Sequence, residues 1–116
     1  MSDLKVTVGG AFEENAKRRF IDAWHRAERG EVFQERYLAF ENWDTLARTL
    51  TTKRLVLLRY VRGQEVRSIR ALAKALGRDY SNVHADVQAL TAAGLLEATE
   101  AGLRADYDTI ETKIAI

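Results

Sequence analysis

The stretch SIRALAKALGRDYSNVHADVQALTAAG, residues 68–94, decides the fold predicted for this chain. Ser68 can cap a helix whose apolar residues recur at helical spacing until Gly77, a typical helix stop. A second amphipathic helix follows almost at once, with Asp79 placed to cap it. The residues predicted to face inward from this second helix are Val83, Val87 and Leu90. Two helices joined by so short a glycine-containing turn predict a helix-turn-helix unit.

The elements on either side of residues 68–94 complete a recognisable order. Upstream, Thr51 can cap a helix that runs through Arg62, and a shorter helix is expected over 43–50. Downstream, residues 95–99 and 103–107 predict two strands joined by a tight turn. Three helices followed by a β-hairpin predict a winged helix-turn-helix. The fold class is therefore α+β, mainly α, with residues 42–116 as a DNA-binding domain.

Residues 1–41 form a strand-helix-strand extension in this prediction. Strands are expected at 4–8 and 32–40, and the apolar residues of 11–29 recur every three or four positions, as in an amphipathic helix. A two-stranded pairing is marginal by itself, so the extension is predicted to pack against a second copy of the chain. The residues predicted at this dimer interface are Phe12, Phe20, Trp24, Phe33 and Tyr37. The alternative is that the apolar stripe folds back on its own winged helix.

Composition excludes several classes of protein. The chain of 116 residues contains no cysteine and two histidines, so disulfide frameworks, thiol nucleophiles and cysteine metal sites are excluded, and no cofactor is expected. There is no acidic pair, nucleophile-base pair or phosphate loop at the spacing that catalysis requires, so an enzyme is not predicted. No apolar run reaches the roughly 20 residues of a membrane span, and no leader precedes the first strand. The expected location is the cytoplasm, without membrane association.

Charge is distributed unevenly along the chain although the net charge is only +1. Residues 1–50 contain 8 basic and 9 acidic residues, residues 51–94 contain 8 and 3, and residues 95–116 contain 2 and 5. The basic segment therefore coincides with the predicted helix-turn-helix. A solvated basic face is the alternative interpretation of such a cluster.

The run LTTKRLVLLRYVRGQEVRSIRALAKALGRDYSNVHADVQALTAAGLLEA, residues 50–98, resembles the winged-helix core of MarR-like prokaryotic transcriptional regulators. With the strand-helix-strand extension, nearly the whole chain resembles a family of short predicted regulators that are often paired with a small toxin-like protein. The resemblance implies sequence-specific binding to double-stranded DNA by a homodimer, with autoregulation as an antitoxin.

The outward face of the second helix carries amides, hydroxyls, an imidazole and small residues instead of the usual lysine and glutamate. Amides can form bidentate hydrogen bonds with adenine, and a small residue can contact a thymine methyl group. The residues predicted to read bases are Ser81, Asn82, His84, Ala85 and Gln88. The cations predicted to contact phosphate are Lys53, Arg54, Arg67, Arg70, Lys74, Arg78 and Arg104.

Three residues near this face have other predicted roles. Tyr80 is expected to lean inward and pack, and Asp86 is expected to be structural, with a pairing to Arg54 as the hypothesis. The predicted wing, the β-hairpin, is acidic around Arg104. A role for this hairpin in packing is therefore as compatible with the sequence as a role in DNA contact. A different class of function also remains open: an interaction module that neutralises a toxin-like partner, with DNA binding secondary or lost.

Overall fold

The computed structural model describes residues 2–9, 20–22, 24–25, 28, 34–114 and 116. The chain forms a mixed α+β fold that divides into two compact units. Unit 1 comprises Met1–Leu46 together with Tyr107–Ile116, and unit 2 comprises Ala47–Asp106. The sequence prediction divided the chain once, between residues 41 and 42. The structure instead groups the C-terminal strand with the N-terminal strands.

The described residues form five strands and parts of five helices. The strands are β1 (Ser2–Val8), β2 (Gln34–Phe40), β3 (Glu97–Thr99), β4 (Gly102–Arg104) and β5 (Thr109–Ile114). The helices are α1, to which residues 20–22, 24–25 and 28 belong, α2 (Trp43–Thr49), α3 (Thr52–Gly63), α4 (Ile69–Leu76) and α5 (Tyr80–Ala92). No helix in the described part of the chain is long and apolar enough to cross a bilayer.

Unit 1 contains a three-stranded sheet of order β2-β1-β5, in which both neighbours run parallel to β1. One face of β1 is covered, because Leu4, Val6 and Val8 are buried while the residues between them are half-exposed. A parallel strand pair needs a crossover connection, and α1 lies in the segment between β1 and β2. The C-terminal segment 109–114 is thus the third strand of this sheet.

Unit 2 packs helices α3, α4 and α5 with the antiparallel β3–β4 hairpin. Thr51 caps α3 as predicted, since its hydroxyl accepts a hydrogen bond from the Arg54 backbone N–H at 3.3 Å. The buried apolar residues of this unit include Leu57, Leu58, Val61, Leu72, Val83, Val87, Leu90, Leu95, Leu96 and Leu103. They come from every helix and from the hairpin, so one core joins these elements.

The hairpin is attached to the segment before α4 by backbone pairing. The Leu103 N–H donates to the Val66 carbonyl oxygen at 2.8 Å, and the two residues form an isolated antiparallel bridge. Gly102 makes this close approach possible. Its φ is +131°, and a Cβ atom there would lie 2.0 Å from the Val66 oxygen.

Candidate nucleic-acid interface

Helices α4 and α5 are joined by a three-residue turn whose geometry is set by local hydrogen bonds. The Ser68 hydroxyl caps α4 by accepting from the Ala71 N–H at 3.0 Å. At the other end, Gly77 adopts a left-handed conformation with φ of 64°. The Gly77 N–H donates to the Lys74 oxygen and the Arg78 N–H donates to the Ala73 oxygen, which is a Schellman motif. The predicted cap and stop of this helix are both confirmed.

One face of α5 is buried and the opposite face is open. Val83, Val87 and Leu90 are no more than 3% exposed, as the helical spacing predicted. The five residues predicted to read bases are all exposed, and we call them the exposed face of α5: Ser81, Asn82, His84, Ala85 and Gln88. The structure therefore brings these side chains together on one surface, without a lysine or glutamate among them.

At the start of α5, a negatively charged carboxylate accepts a hydrogen bond from a neighbouring hydroxyl. Asp79 occupies the N-cap position but forms no side-chain capping hydrogen bond with the helix. Its carboxylate instead accepts a hydrogen bond from the Ser81 Oγ at 2.6 Å. This hydrogen bond is the largest cause of the lowered pKa of Asp79, and the nearby Asn82 N–H is the second. Asp79 is thus charged at neutral pH, and the Ser81 hydroxyl proton is already engaged.

Asp86 is a half-buried residue of α5 that lies between two arginines. Its Oδ1 accepts from Arg54 Nε at 3.0 Å, and its Oδ2 lies 2.8 Å from Arg78 Nη2. The three side chains are between 14% and 21% exposed, and we call them the Asp86 network. The hypothesis that Asp86 pairs with Arg54 is confirmed, and its structural role stays a prediction.

The Asp86 network also reaches the end of α2. Arg54 Nη1 donates to the carbonyl oxygens of Arg48 and Thr49, each at 3.0 Å. Unpaired carbonyl groups at a helix C-terminus attract cations, so this contact satisfies groups that the helix itself cannot. Arg54 and Arg78, both predicted to contact phosphate, are instead engaged within unit 2, where they connect α2, α3, the turn and α5.

A second cluster lies at the start of α5 and was not predicted. The guanidinium carbon of Arg70 lies 5.8 Å from the centroid of the Tyr80 ring, within the range of a cation–π contact. The Tyr80 and His84 rings have centroids 5.9 Å apart. Tyr80 is 47% exposed, so the prediction that it leans inward is wrong. We call Arg70, Tyr80 and His84 the Tyr80 cluster.

Position explains why Tyr80 is exposed. It is the first residue of α5, beside the first turn of α4, and one helical turn before His84. The i, i+4 spacing of the two rings is the sequence signal that could have identified this contact. The Tyr80 cluster therefore shares His84 with the exposed face of α5 and adds a cation and a phenol beside it.

The remaining predicted cations differ in how they are engaged. Lys53, Arg67, Arg70 and Lys74 are exposed. Arg67 is 3.9 Å from Glu65 with both side chains more than 75% exposed, a pairing that water screens strongly. Arg104 of β4 pairs with Asp106 at 3.0 Å. The four exposed cations that come before α5 are thus better available to an external anion than Arg54, Arg78 or Arg104.

Two of the residues predicted at a dimer interface are exposed aromatic side chains. Phe20 and Trp24 of α1 are 68% and 59% exposed, with ring centroids 6.5 Å apart. Tyr37 of β2 is half-buried, and Phe12 and Phe33 lie outside the described residues. Such an apolar helix face is typical of a surface that contacts another protein.

No group of three or more metal-ligating side chains occurs among the described residues. Of the two histidines, His84 contacts Tyr80, and His25 lies 3.7 Å from Glu28 on α1 with both side chains 58% exposed. The exposed side chains on and beside α5 are cations, amides and aromatic rings.

Comparison with known proteins assigns the chain to a family. The family model described as HVO_A0114 matches residues 49–112, just over half of the chain. The chain belongs to the HVO_A0114 family. The match covers α3, α4, α5 and the hairpin, the elements that carry the candidate interface, and extends into β5. No curated protein and no solved structure matches the chain.

Proposed function

We propose that this member of the HVO_A0114 family is a transcriptional regulator that binds double-stranded DNA sequence-specifically as a homodimer. In this proposal unit 2 is a winged helix-turn-helix of the MarR-like type, with α5 in the major groove and the β3–β4 hairpin as the wing. Two subunits would present their α5 helices about 34–36 Å apart, one turn of DNA. The protein would act in the cytoplasm.

The observation that carries the proposal is the composition of the exposed face of α5. Asn82 and Gln88 project donors and acceptors to solvent, and no partner engages these amides among the described residues. Amide side chains read base edges, whereas a solvated helix surface more often carries lysine and glutamate. The surrounding segment is also the basic one, with 8 basic and 3 acidic residues in 51–94.

In this proposal, the exposed cations provide the part of the binding affinity that does not depend on the DNA sequence. Arg70 and Lys74 of α4 are exposed, and Arg70 contacts Tyr80. The charged carboxylate of Asp79 repels phosphate at the start of α5, so backbone contacts would come from α4 and the segment before it. With Lys53, Arg67, Arg70 and Lys74 in each subunit, six to eight phosphates would be neutralised per dimer.

The test compares binding of wild-type protein to the duplex upstream of its own gene and to a scrambled duplex of equal length. Gln88→Ala and Asn82→Ala should each reduce the ratio of the two affinities by about 5- to 150-fold, from about 1–3 kcal/mol per bidentate contact. Gln64→Ala, a change of the same type at an exposed position after α3, should leave the ratio unchanged. Circular dichroism checks that each variant is folded. Folded variants that keep the wild-type ratio would exclude α5 as the reader.

The second candidate function is an antitoxin that binds a small toxin-like protein, with DNA binding secondary or lost. The observation that favours it is the exposed aromatic pair of α1, Phe20 and Trp24. The basic segment, residues 51–94, distinguishes the two candidate functions. DNA binding would explain it, whereas neutralisation of a toxin-like partner through α1 would not. Wild-type protein that binds neither duplex at low salt would favour the antitoxin.

A further inference from the structure

Strand β5 is an edge of the sheet in unit 1. It pairs with β1 on one side, and among the described residues no strand pairs with its other side. Five of its six residues are exposed, and Ile110 is half-buried. An edge strand presents unpaired backbone N–H and C=O groups, which are a template for another strand. The outer edge of β5 is therefore a surface that a partner strand can complete.

The sequence of β5 is complementary to itself in the antiparallel direction. Residues 110–114 read IETKI, and Thr112 is their centre. In an antiparallel pair related by a two-fold axis at Thr112, Ile110 would lie opposite Ile114 of the second copy, and Glu111 opposite its Lys113. Residues directly opposite each other lie on the same face of a sheet, so the apolar and charged pairs stay on separate faces.

The register of β5 against β1 extends these pairs across both copies. Ile110 lies beside Leu4 and Ile114 beside Val8, and both β1 residues are buried. Pairing β5 with its copy would form a row of Val8, Ile114, the second copy's Ile110 and its Leu4. Ile114 is 45% exposed in the single chain, so this row would cover apolar surface that now faces water.

The charges on the opposite face are arranged in the same way. Lys5 pairs with Glu111, whose side chain remains 59% exposed. Lys113 has no acidic partner among the described residues. In the paired sheet, each Glu111 would lie between its own Lys5 and the second copy's Lys113, so that opposite charges alternate across the strands. Opposite charges placed directly across strands stabilise a sheet, and like charges destabilise it.

The other edge of the sheet lacks this complementarity. In the sequence of β2 the acidic and basic residues are Glu35 and Arg36, which are neighbours, whereas an antiparallel two-fold pair places opposite each other only residues an even number of positions apart. They cannot face each other across a two-fold axis. The comparison singles out β5 as the edge with a matching partner.

We propose that a second copy of this chain docks on β5, pairing antiparallel about Thr112 to form a six-stranded sheet of order β2-β1-β5-β5′-β1′-β2′. The inference concerns self-association and stands independently of DNA binding. It places the dimer interface at the C-terminal strand instead of the N-terminal extension, residues 1–41, predicted from the sequence.

The first test uses the absence of cysteine from the chain. Thr112→Cys would place one thiol opposite its own copy, at the roughly 4.5–5.5 Å Cβ separation of directly paired residues. Thr109→Cys is a matched control on the same strand, because in this register its two copies lie about 20 Å apart. Under mild oxidation of the full-length protein, Thr112→Cys should form a disulfide dimer and Thr109→Cys should not. Equal crosslinking of the two variants, or none with Thr112→Cys, would overturn the register.

The second test uses charge reversal and sedimentation at tens of micromolar. The wild type should sediment at twice the 13.1 kDa mass of the chain. Lys113→Glu should raise the dimer Kd at least about tenfold, because two attractive pairs become repulsive. The double variant Lys5→Glu/Glu111→Lys, which retains an opposite-charge pair within the chain, should be weakened similarly. Mixing it with Lys113→Glu should restore a dimer, since every facing pair is then of opposite charge.

The charge-reversal experiment has one matched control and two outcomes that would contradict the proposal. Arg59→Glu, an equal change of charge at an exposed position on α3, should remain dimeric. A wild type that is monomeric at these concentrations overturns the proposal. A wild-type dimer that Lys113→Glu leaves intact also overturns it and points to the α1 aromatic face.

Discussion

Replacing Asp86 with asparagine should destabilise unit 2 strongly. Asn keeps the shape of the side chain but carries no charge, and its amide nitrogen cannot accept a hydrogen bond from an arginine. Two guanidinium groups, those of Arg54 and Arg78, would then lose their counter-charge in a region where all three side chains are at most 21% exposed. Breaking a fully buried pair costs about 3–5 kcal/mol and an exposed pair about 0–1 kcal/mol.

The Asp86 network lies between these limits, so the expected loss is about 2–3 kcal/mol. For a unit of this size, each kcal/mol lowers the melting temperature by about 4–8 °C, which gives a decrease of roughly 8–24 °C. Asp106→Asn is the matched control, because Asp106 also lies 3.0 Å from an arginine, Arg104, but the two side chains are 63% and 59% exposed. It should cost less than about 1 kcal/mol.

Thermal unfolding followed by circular dichroism at 222 nm measures both variants. A double-mutant cycle with Arg54→Ala and Asp86→Ala should give a coupling free energy of about 0.5–3 kcal/mol. If Asp86→Asn melts within about 2 °C of Asp106→Asn, or if the cycle shows no coupling, the network does not hold α5 in place and its assignment as structural fails.

Three further predictions concern other parts of the molecule. Gly102→Ala should unfold or markedly destabilise unit 2 in the same melting experiment, because its Cβ would lie 2.0 Å from the Val66 oxygen; an unchanged melting temperature would contradict the hairpin attachment. Burial raises the pKa of Tyr107 to about 12, against an opposing effect of Arg36. The folded state thus favours the neutral phenol, and stability should fall as the pH rises from about 10 through about 12. Absorbance at 295 nm should show a late tyrosine ionisation that Tyr107→Phe removes; a late phase that persists in the variant, or that is missing from the wild type, would refute the assignment. Arg70→Ala should weaken binding to all duplexes alike and flatten the salt slope by about one unit for each phosphate that is no longer neutralised, whereas Arg59→Ala should not.

The helices of unit 2 could be predicted closely because their signals are local. Thr51, Ser68 and Gly77 mark helix ends through hydrogen bonds and dihedral angles within a few residues. The buried side of α5 also follows from spacing alone, since Val83 and Val87 are nearly inaccessible. Helix ends and buried helix faces depend on interactions within one short segment, so they can be predicted from the sequence of that segment.

The partner of β5 could not be predicted in this way. Its six residues alternate like an ordinary strand, but their pairing with β1 joins residues more than a hundred positions apart, such as Leu4 and Ile110. The partner of a strand depends on which sheet edge is available once the other strands have paired. The periodicity of residues within the strand does not specify this partner. The predicted division of the chain at residue 41 missed this contact for the same reason.

The roles of individual cations were also hard to predict. Arg54, Arg70 and Arg78 all lie in the basic segment, and nothing in their spacing separates them. The structure distinguishes them by their neighbours: Asp86 pairs with Arg54 and Arg78, whereas Arg70 is exposed and lies over the Tyr80 ring. Charge in a sequence indicates where a surface is basic, and the fold decides which of its cations are available.

The most direct measurement of the central proposal is the salt dependence of binding to the duplex upstream of the gene, followed by fluorescence anisotropy of a labelled duplex. With six to eight phosphates neutralised per dimer at about −0.9 each, log K should fall against log salt with a slope of roughly −5 to −7. A slope near zero, or no binding at 50 mM salt, would contradict the assignment of this protein as a DNA-binding regulator.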